Sequence, residues 1–168
     1  MCKMLFIILT MIIAALLGVG QAIPSTTANL ARDDKNPNLT HILCQPQMFR
    51  EARKDFTQQN EDYLRPLDND GPGAYLGANA NGKSCERVAC QYASGVYVCI
   101  DNDRAINVPY GTIADYAQAV LGDPSDKCNW RAENYEGGLF DVDVTWGQAF
   151  DANGWNVIVG MWHSNDKC

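Results

Sequence analysis

The residues best suited to chemistry in this sequence are three closely spaced cysteines, Cys85, Cys90 and Cys99. Cysteines at short spacing can ligate a metal, exchange disulfides or hold a small fold together. Structural zinc sites use paired C-x2-C spacings and thioredoxin-like redox sites use C-x-x-C, and the sequence contains neither. The spacing therefore favours structural disulfides, and the sequence predicts no metal site and no cofactor.

Acid–base chemistry has few candidate residues. The chain contains two histidines, His41 and His163, and it has no G-x-S-x-G nucleophile elbow. Two D-x-D pairs, at 101–103 and 141–143, could bind a divalent cation, but in alternating strands such pairs are typical of charges that face solvent. His163 follows a strongly apolar segment, where a histidine is more often a surface or capping residue. On these residues alone, the sequence does not favour an enzyme.

The N-terminus has the pattern of a signal peptide. Lys3 precedes an apolar run over residues 4–19, and Gly20-Gln21-Ala22 supplies the small residues that signal peptidase requires. The run is shorter than the roughly 20 residues needed to span a bilayer, and no basic cluster follows it. We therefore predict that residues 1–22 are cleaved, that the protein is secreted and that it has no membrane span.

Cleavage would remove Cys2 and leave six cysteines: Cys44, Cys85, Cys90, Cys99, Cys128 and Cys168. An even number in an oxidising compartment indicates three disulfides, which restrict the unfolded chain. The pairing stays open, because six cysteines allow many combinations. A bridge between Cys90 and Cys99 is geometrically plausible, since the two lie on neighbouring predicted strands.

The mature chain divides into a leader and a single domain. Residues 23–40 are polar and aperiodic, and we interpret them as a flexible leader before a folded domain at 41–168. The leader ends in an N-glycosylation sequon at 38–40, with Asn38 as the acceptor. The sequence therefore predicts a secreted glycoprotein with one compact domain.

The first half of the domain alternates strand and helix patterns. Strand character at 41–44 is followed by a helical pattern between Gln47 and Pro66. The apolar face of that helix is predicted to contain Phe49, Ala52, Phe56 and Tyr63. Two alternating strands, at 88–92 and 96–100, come next.

A second helix is predicted over residues 112–122, with Thr112 as its N-cap. Alternation at 142–146 and an Asn153-Gly154 hairpin turn then indicate further strands. The order strand, helix, strand, strand, helix, strand is the split βαβ pattern. We therefore predict an α+β fold of the α/β-plait type, in which an antiparallel sheet carries two helices on one face and three disulfides stabilise it.

Four segments carry a resemblance to a known group of proteins. They read CERVACQY at 85–92, VYVCIDN at 96–102, IADYAQ at 113–118 and GQAFDxxGWNVIV at 147–159. These runs resemble small cysteine-rich secreted proteins of filamentous fungi, many of which are candidate effectors. The order of elements is similar to that of the killer-toxin-like family, which includes necrosis-inducing effector homologues.

This first resemblance implies a role in virulence, through toxicity towards other cells or interference at a host surface. It carries over the scaffold of six cysteines and no catalytic residue. Killer toxins tend to act through basic residues, whereas this chain has a net charge of −7. The departure puts any ion-channel-blocking activity in doubt.

The segment Arg131–Gly137 resembles a second family. Its Asn-Tyr-Glu-Gly run is similar to the guanine-recognition loop of small secreted fungal ribonucleases. The resemblance implies that Glu136 reads the guanine edge, that Tyr135 stacks on the base, and that His163 and Arg131 serve as general acid and stabilising cation. The strand that should supply a catalytic Glu reads DVDVTW, so an inactive ribonuclease-like protein is the matching alternative.

Two further binding roles stay open. Exposed indoles can bind sugars or protein partners, and Trp130, in a polar loop, is the best surface candidate among the four tryptophans. The loop at 68–82 is long enough to act as the rigid reactive loop of a protease inhibitor, although none of its residues specifies a protease.

The sequence thus predicts a secreted effector or toxin-like protein, most simply a monomer, that binds a host or competitor protein or a cell-surface component. Loss of Lys3 with the signal peptide changes the net charge from −7 to −8, which argues against nucleic acid or anionic membranes as partners. The alternatives are an active or inactive ribonuclease, and a protease inhibitor or sugar-binding module.

Overall fold

The computed structural model describes residues 36–69, 71–78, 84–135, 140–162 and 168 of the 168-residue chain. The elements of this part are, in chain order, β1 (Leu39–Cys44), β2 (Ala52–Arg53), α1 (Lys54–Leu67), β3 (Ala74–Leu76), β4 (Ser84–Gln91), β5 (Ser94–Ile100), β6 (Ile106–Val108), α2 (Tyr110–Leu121), β7 (Asn129–Ala132), β8 (Val142–Thr145), β9 (Gly147–Asp151) and β10 (Trp155–Gly160). Neither of these two helices has the length and apolar character needed to cross a bilayer.

The main sheet is antiparallel and has five strands in the order β1-β9-β10-β5-β4. Helix α1 packs on β4 and β5, helix α2 packs on β9 and β10, and the helices pack on each other. Along β5, Val96, Val98 and Ile100 share one core cluster with the helices, whereas Tyr97 and Cys99 belong to a second cluster on the opposite face. Both helices therefore cover one face of the sheet, and the predicted α+β fold is confirmed.

Two smaller antiparallel sheets, β2-β8-β7 and β3-β6, lie beside the main sheet. The predicted Asn153-Gly154 turn joins β9 to β10, and Gly154 has a φ of +78°, which a glycine adopts at little cost. At the start of the domain, Asn36 is buried and its Nδ2 donates to the Asp115 carbonyl at 3.2 Å. Residues 36–40, which the sequence analysis assigned to the leader, thus belong to the fold, and Asn38 is exposed just before β1.

All six predicted cysteines form disulfides, which pair Cys44 with Cys128, Cys85 with Cys99, and Cys90 with Cys168. The Cys90–Cys99 bridge that the sequence made plausible is therefore wrong. The turn of the β4–β5 hairpin places Cys85 directly opposite Cys99, whereas Cys90 lies opposite Gly95. Neighbouring strands permit a bridge only between opposed positions, so the register of the hairpin excludes it.

Helix α1 begins at Lys54 rather than near Gln47, and its predicted apolar face is wrong. The segment before it pairs instead, through β2 with β8 and through a bridge between Arg50 and Met161. The buried side chains of the helix are Thr57, Asn60, Glu61 and Leu64. Tertiary pairing has overridden the local helical pattern, and Tyr63 is left exposed.

The polar side chains of α1 fasten the helix to the β4–β5 hairpin. The Thr57 and Ser94 hydroxyls lie 2.7 Å apart, and Asn60 Nδ2 donates to both the carbonyl and the hydroxyl of Ser94 at 3.1 Å. All three residues are fully buried. Because buried polar groups need partners, this cluster fixes where the helix crosses the strand.

Helix α2 begins at Tyr110, two residues before the predicted Thr112 cap. Its N-terminus is capped by a residue that is distant in sequence. Asp68, at the end of α1, accepts a hydrogen bond from the Gly111 amide at 2.7 Å. A side chain at Gly111 would collide with the Asp68 carboxylate. The carboxylate links the two helices and complements the positive end of α2.

Glu61 is a fully buried carboxylic acid in α1. Desolvation raises its pKa from 4.5 to about 7, although the nearby Arg65 charge and a hydrogen bond from Gln58 act in the opposite direction. The folded state therefore holds a proton that the unfolded chain releases near pH 4.5. The resulting stabilisation is fully present below pH 4.5 and is lost as the pH rises through about 7.

We expect the free energy of unfolding to fall by about 3 kcal/mol between pH 4.5 and 8 because of Glu61 alone. The variant Glu61→Gln should remove that part of the pH dependence, since its amide has no charge to bury. Urea unfolding across this pH range would measure the effect, with Glu86→Gln, at an exposed position of β4, as the matched control. Equal pH slopes for Glu61→Gln and the wild type would contradict the assignment.

Two of the three disulfides, Cys44–Cys128 and Cys85–Cys99, should differ in how much they stabilise the fold, because they close loops of different length. Cys44 and Cys128 are 84 residues apart, whereas Cys85 and Cys99 are 14 apart. Loss of loop-closure entropy predicts that Cys44→Ala with Cys128→Ala lowers the free energy of unfolding by about 4 to 5 kcal/mol. The hairpin pair, Cys85→Ala with Cys99→Ala, should lower it by about 3 kcal/mol. A larger loss for the hairpin variant in urea unfolding would overturn this ranking.

Candidate functional site

A cleft of about 380 Å³ lies between the start of α1, the β4–β5 turn and the small β2-β8-β7 sheet. We call it the arginine–aromatic cleft, because its described lining contains two arginines and four aromatic rings. The lining residues are Arg50, Arg53, Phe56, Tyr92, Ala93, Tyr135, Phe140, Val142, Met161 and Cys168.

One wall of the cleft is a stack formed by Arg53, Phe56 and Tyr92. The Arg53 guanidinium carbon lies 4.4 Å from the centre of the Phe56 ring, and its Nε donates to Asp55 Oδ1 at 3.0 Å. The Phe56 and Tyr92 ring centres are 4.8 Å apart. Cation–π contact and the ion pair hold the planar guanidinium in place, so the wall presents ordered side chains to a ligand.

Tyr92 reaches this wall because of an unusual backbone position. It lies in the two-residue turn between β4 and β5 with a φ of +45°, and 70% of its surface is exposed. Positive φ in a hairpin turn normally selects glycine or asparagine. A tyrosine there brings local strain and a solvent-facing ring, which is a combination that suits recognition rather than stability.

Tyr135 and Phe140 contribute two further aromatic rings to the lining of the cleft. The Tyr135 hydroxyl donates to the Glu51 carbonyl at 3.3 Å, which holds the ring against the segment that precedes β2. Phe140 is 76% exposed. At the base of the cleft, backbone hydrogen bonds of 2.8 and 2.9 Å join Arg50 to the buried Met161. The C-terminal cysteine, Cys168, closes one side through its bond to Cys90.

The described lining of the cleft differs in charge from the chain as a whole. Its described lining contains two arginines and no carboxylate, whereas the chain has a net charge of −7. Asp55 balances part of the Arg53 charge from beside the lining. The described lining can therefore contact a planar or apolar group that carries negative charge.

Of the four residues predicted for a ribonuclease site, the structure describes Tyr135 and Arg131, and these two do not line the same cleft. Tyr135 lines the cleft, but Arg131 is on the exposed surface of β7, with contacts of 3.8 Å to Asp141 and 3.6 Å to Asp143. Glu136 and His163 lie outside the described residues. Arg131 is also absent from the described lining of the cleft.

The other predicted candidates have structural partners. Trp130 is half-buried on β7, and its ring centre lies 6.4 Å from that of Trp146. His41 stacks on Phe150, with ring centres 4.4 Å apart. The predicted inhibitor loop contains β3, in which Ala74 and Leu76 enter the main core. Tyr75 between them stays exposed.

Among the described residues, one group of possible metal ligands converges, namely Cys44, Asp123 and Cys128. The two sulfurs are joined in a disulfide, so neither is available as a thiolate ligand. This group therefore has a structural role in the connection between β1 and the segment before β7.

Sequence reasoning missed Arg53, Phe56, Tyr92 and Phe140 as members of a site. Phe56 was assigned to a buried helix face, and Tyr92 was treated as the end of a strand. A bulky aromatic at the centre of a tight hairpin was the one local signal available. The cleft itself depends on contacts between segments that are far apart in sequence.

Comparison with known proteins adds no functional assignment. The chain matches no family model, no curated protein and no solved structure.

Proposed function

We propose that this chain is a secreted, disulfide-stabilised binding protein of the effector or toxin type, which acts on a host or competitor molecule outside the producing cell. The observation that carries the proposal is the arginine–aromatic cleft. Export is supported by the signal-like N-terminus and by three disulfides, which form and persist in oxidising compartments.

The residue types in the cleft are those that concentrate binding energy at protein interfaces. Tyrosine, phenylalanine and arginine are enriched there, because rigid rings and planar guanidinium groups bury area with little loss of conformational entropy. Tyr92 and Phe140 stand out from the surface as exposed anchors. A partner segment with an apolar or aromatic side chain beside a carboxylate would complement both the rings and the arginines.

The same cleft gives no support to a hydrolytic mechanism built on the described residues. Its described lining offers no carboxylate or histidine that could act as a general base or acid. We therefore place binding ahead of catalysis, with a protein or other cell-surface component as the partner class. A monomer is sufficient for this mode of action, since one chain builds the whole cleft.

The double variant Tyr92→Ala with Phe140→Ala should weaken binding to the target if the cleft is the binding surface. We expect at least a tenfold loss of binding to target cells and of the growth arrest or necrosis that the mature protein causes. Tyr75→Ala is the matched control. Tyr75 is likewise exposed, at 62%, but it lies on β3 and is not among the described lining residues of the cleft. Equal losses for the control and the double variant would contradict a role for the cleft.

A second candidate function is a guanine-preferring ribonuclease or its inactive descendant. It is favoured by the position of Tyr135, the predicted base-stacking residue, in the same cleft as Arg50 and Arg53. In that case the rings would receive the base, and the arginines would lie near the phosphate.

Cleavage of guanine-containing dinucleotides would test the ribonuclease candidate directly. An active enzyme should cleave them at mild pH and should lose that activity in the His163→Ala variant, because proton transfer to the leaving group would be missing. Chromatography of the products measures the rate. A wild-type rate equal to that of His163→Ala would eliminate the active enzyme and leave only an inactive descendant.

A further inference from the structure

A second cleft, of about 590 Å³, lies on the face of the main sheet opposite the helices. We call it the sheet groove. Its main apolar lining residues are Leu43, Met48, Phe49, Ile158 and Trp162. Its polar lining residues are Gln47, Asp101, Gln148 and Asn156, and it shares no described lining residue with the arginine–aromatic cleft.

Asn156 is the informative residue of the sheet groove. It is fully buried on β10, and its Nδ2 donates to Asp101 Oδ2 at 2.5 Å. Its Oδ1 is also buried and has no hydrogen-bond partner. A buried acceptor without a partner is destabilising. Other buried polar atoms of the described residues also have no partner, but Asn156 is the residue among them that lines the sheet groove. A ligand that donates a hydrogen bond at the floor of the groove would remove this cost.

The polar lining selects a class of ligand by its balance of donors and acceptors. Asp101 is the one charged side chain in the described lining, and one of its oxygens already accepts from Asn156. The Asn156 and Asp101 oxygens are acceptors, whereas the half-buried Gln148 amide can both donate and accept. An anion would be repelled here, and a purely apolar molecule would leave the acceptors unpaired.

We propose that the sheet groove binds a neutral saccharide. Its hydroxyl groups donate to Asn156 Oδ1 and to Asp101, and they exchange hydrogen bonds with Gln148. The apolar face of the sugar ring packs against the wall that contains Phe49 and Trp162, whose ring centres are 5.0 Å apart.

Two of the apolar side chains that line the sheet groove are exposed. Leu43 and Met48 border the groove and are 47% and 62% exposed. The unbranched Met48 side chain can rotate at low cost. Because Asn156 Oδ1 is buried, nearby side chains must move before a sugar hydroxyl can reach it, and the exposed Met48 can move in this way.

Isothermal titration calorimetry of the mature chain with soluble oligosaccharides of chitin, β-glucan and mannan tests the proposal. At least one of the three should bind saturably. Asn156→Leu and Gln148→Leu should each weaken that binding about tenfold or more, because each removes a hydrogen bond to the sugar. The double variant Tyr92→Ala with Phe140→Ala should bind the sugar as the wild type does, which separates this site from the arginine–aromatic cleft.

Three outcomes would overturn the saccharide assignment. The first is the absence of binding heat with all three sugars, and the second is an unchanged affinity in both groove variants. The third is saturable binding of spermine at the groove in place of the sugars, which would indicate a cation site. If Asn156→Leu does not fold, the half-buried Gln148→Leu carries the same test.

Discussion

Strand β5 lies inside the main sheet, between β10 and the edge strand β4, and is buried along its whole length, so both of its faces must be covered. The helices cover one face, and the cluster around Phe49 and Ile158 covers the other. The two ends of β5 anchor other elements, since Ser94 receives the polar side chains of α1 and Cys99 binds Cys85 of the edge strand. Burial of this strand therefore determines where the helix and the edge strand can lie.

The arginine–aromatic cleft is lined by residues around β2, the start of α1 and the β4–β5 turn. Pairing of β2 with β8 pulls the residues before α1 out of the helix and sets Arg53 over Phe56. The tight β4–β5 turn brings Tyr92 to the same place, and the Cys90–Cys168 bond fixes the chain end beside it. Disulfides and sheet register thus hold exposed aromatic side chains in a defined arrangement.

The two clefts have opposite chemistry on one small domain. The described lining of the arginine–aromatic cleft has cations and rings, whereas that of the sheet groove has amide and carboxylate groups around an acceptor without a hydrogen-bond partner. A protein that binds a glycan on one face and a protein segment at another site could hold to a cell surface while it engages its target. The covalent framework suits such a role, because disulfides persist in oxidising compartments and keep both surfaces in place there.

Local patterns determined much of the architecture. Strand alternation, the Asn153-Gly154 turn and the six cysteines that follow the signal-like segment predicted the α+β class, the hairpin and three disulfides, since each depends on short-range geometry or on counting. Only the tertiary structure decided the pairing of Cys85 with Cys99, the start of α1 at Lys54 and the cap that Asp68 supplies to α2. These features, like both clefts, depend on strand register and on contacts between distant segments, which sequence periodicity does not encode.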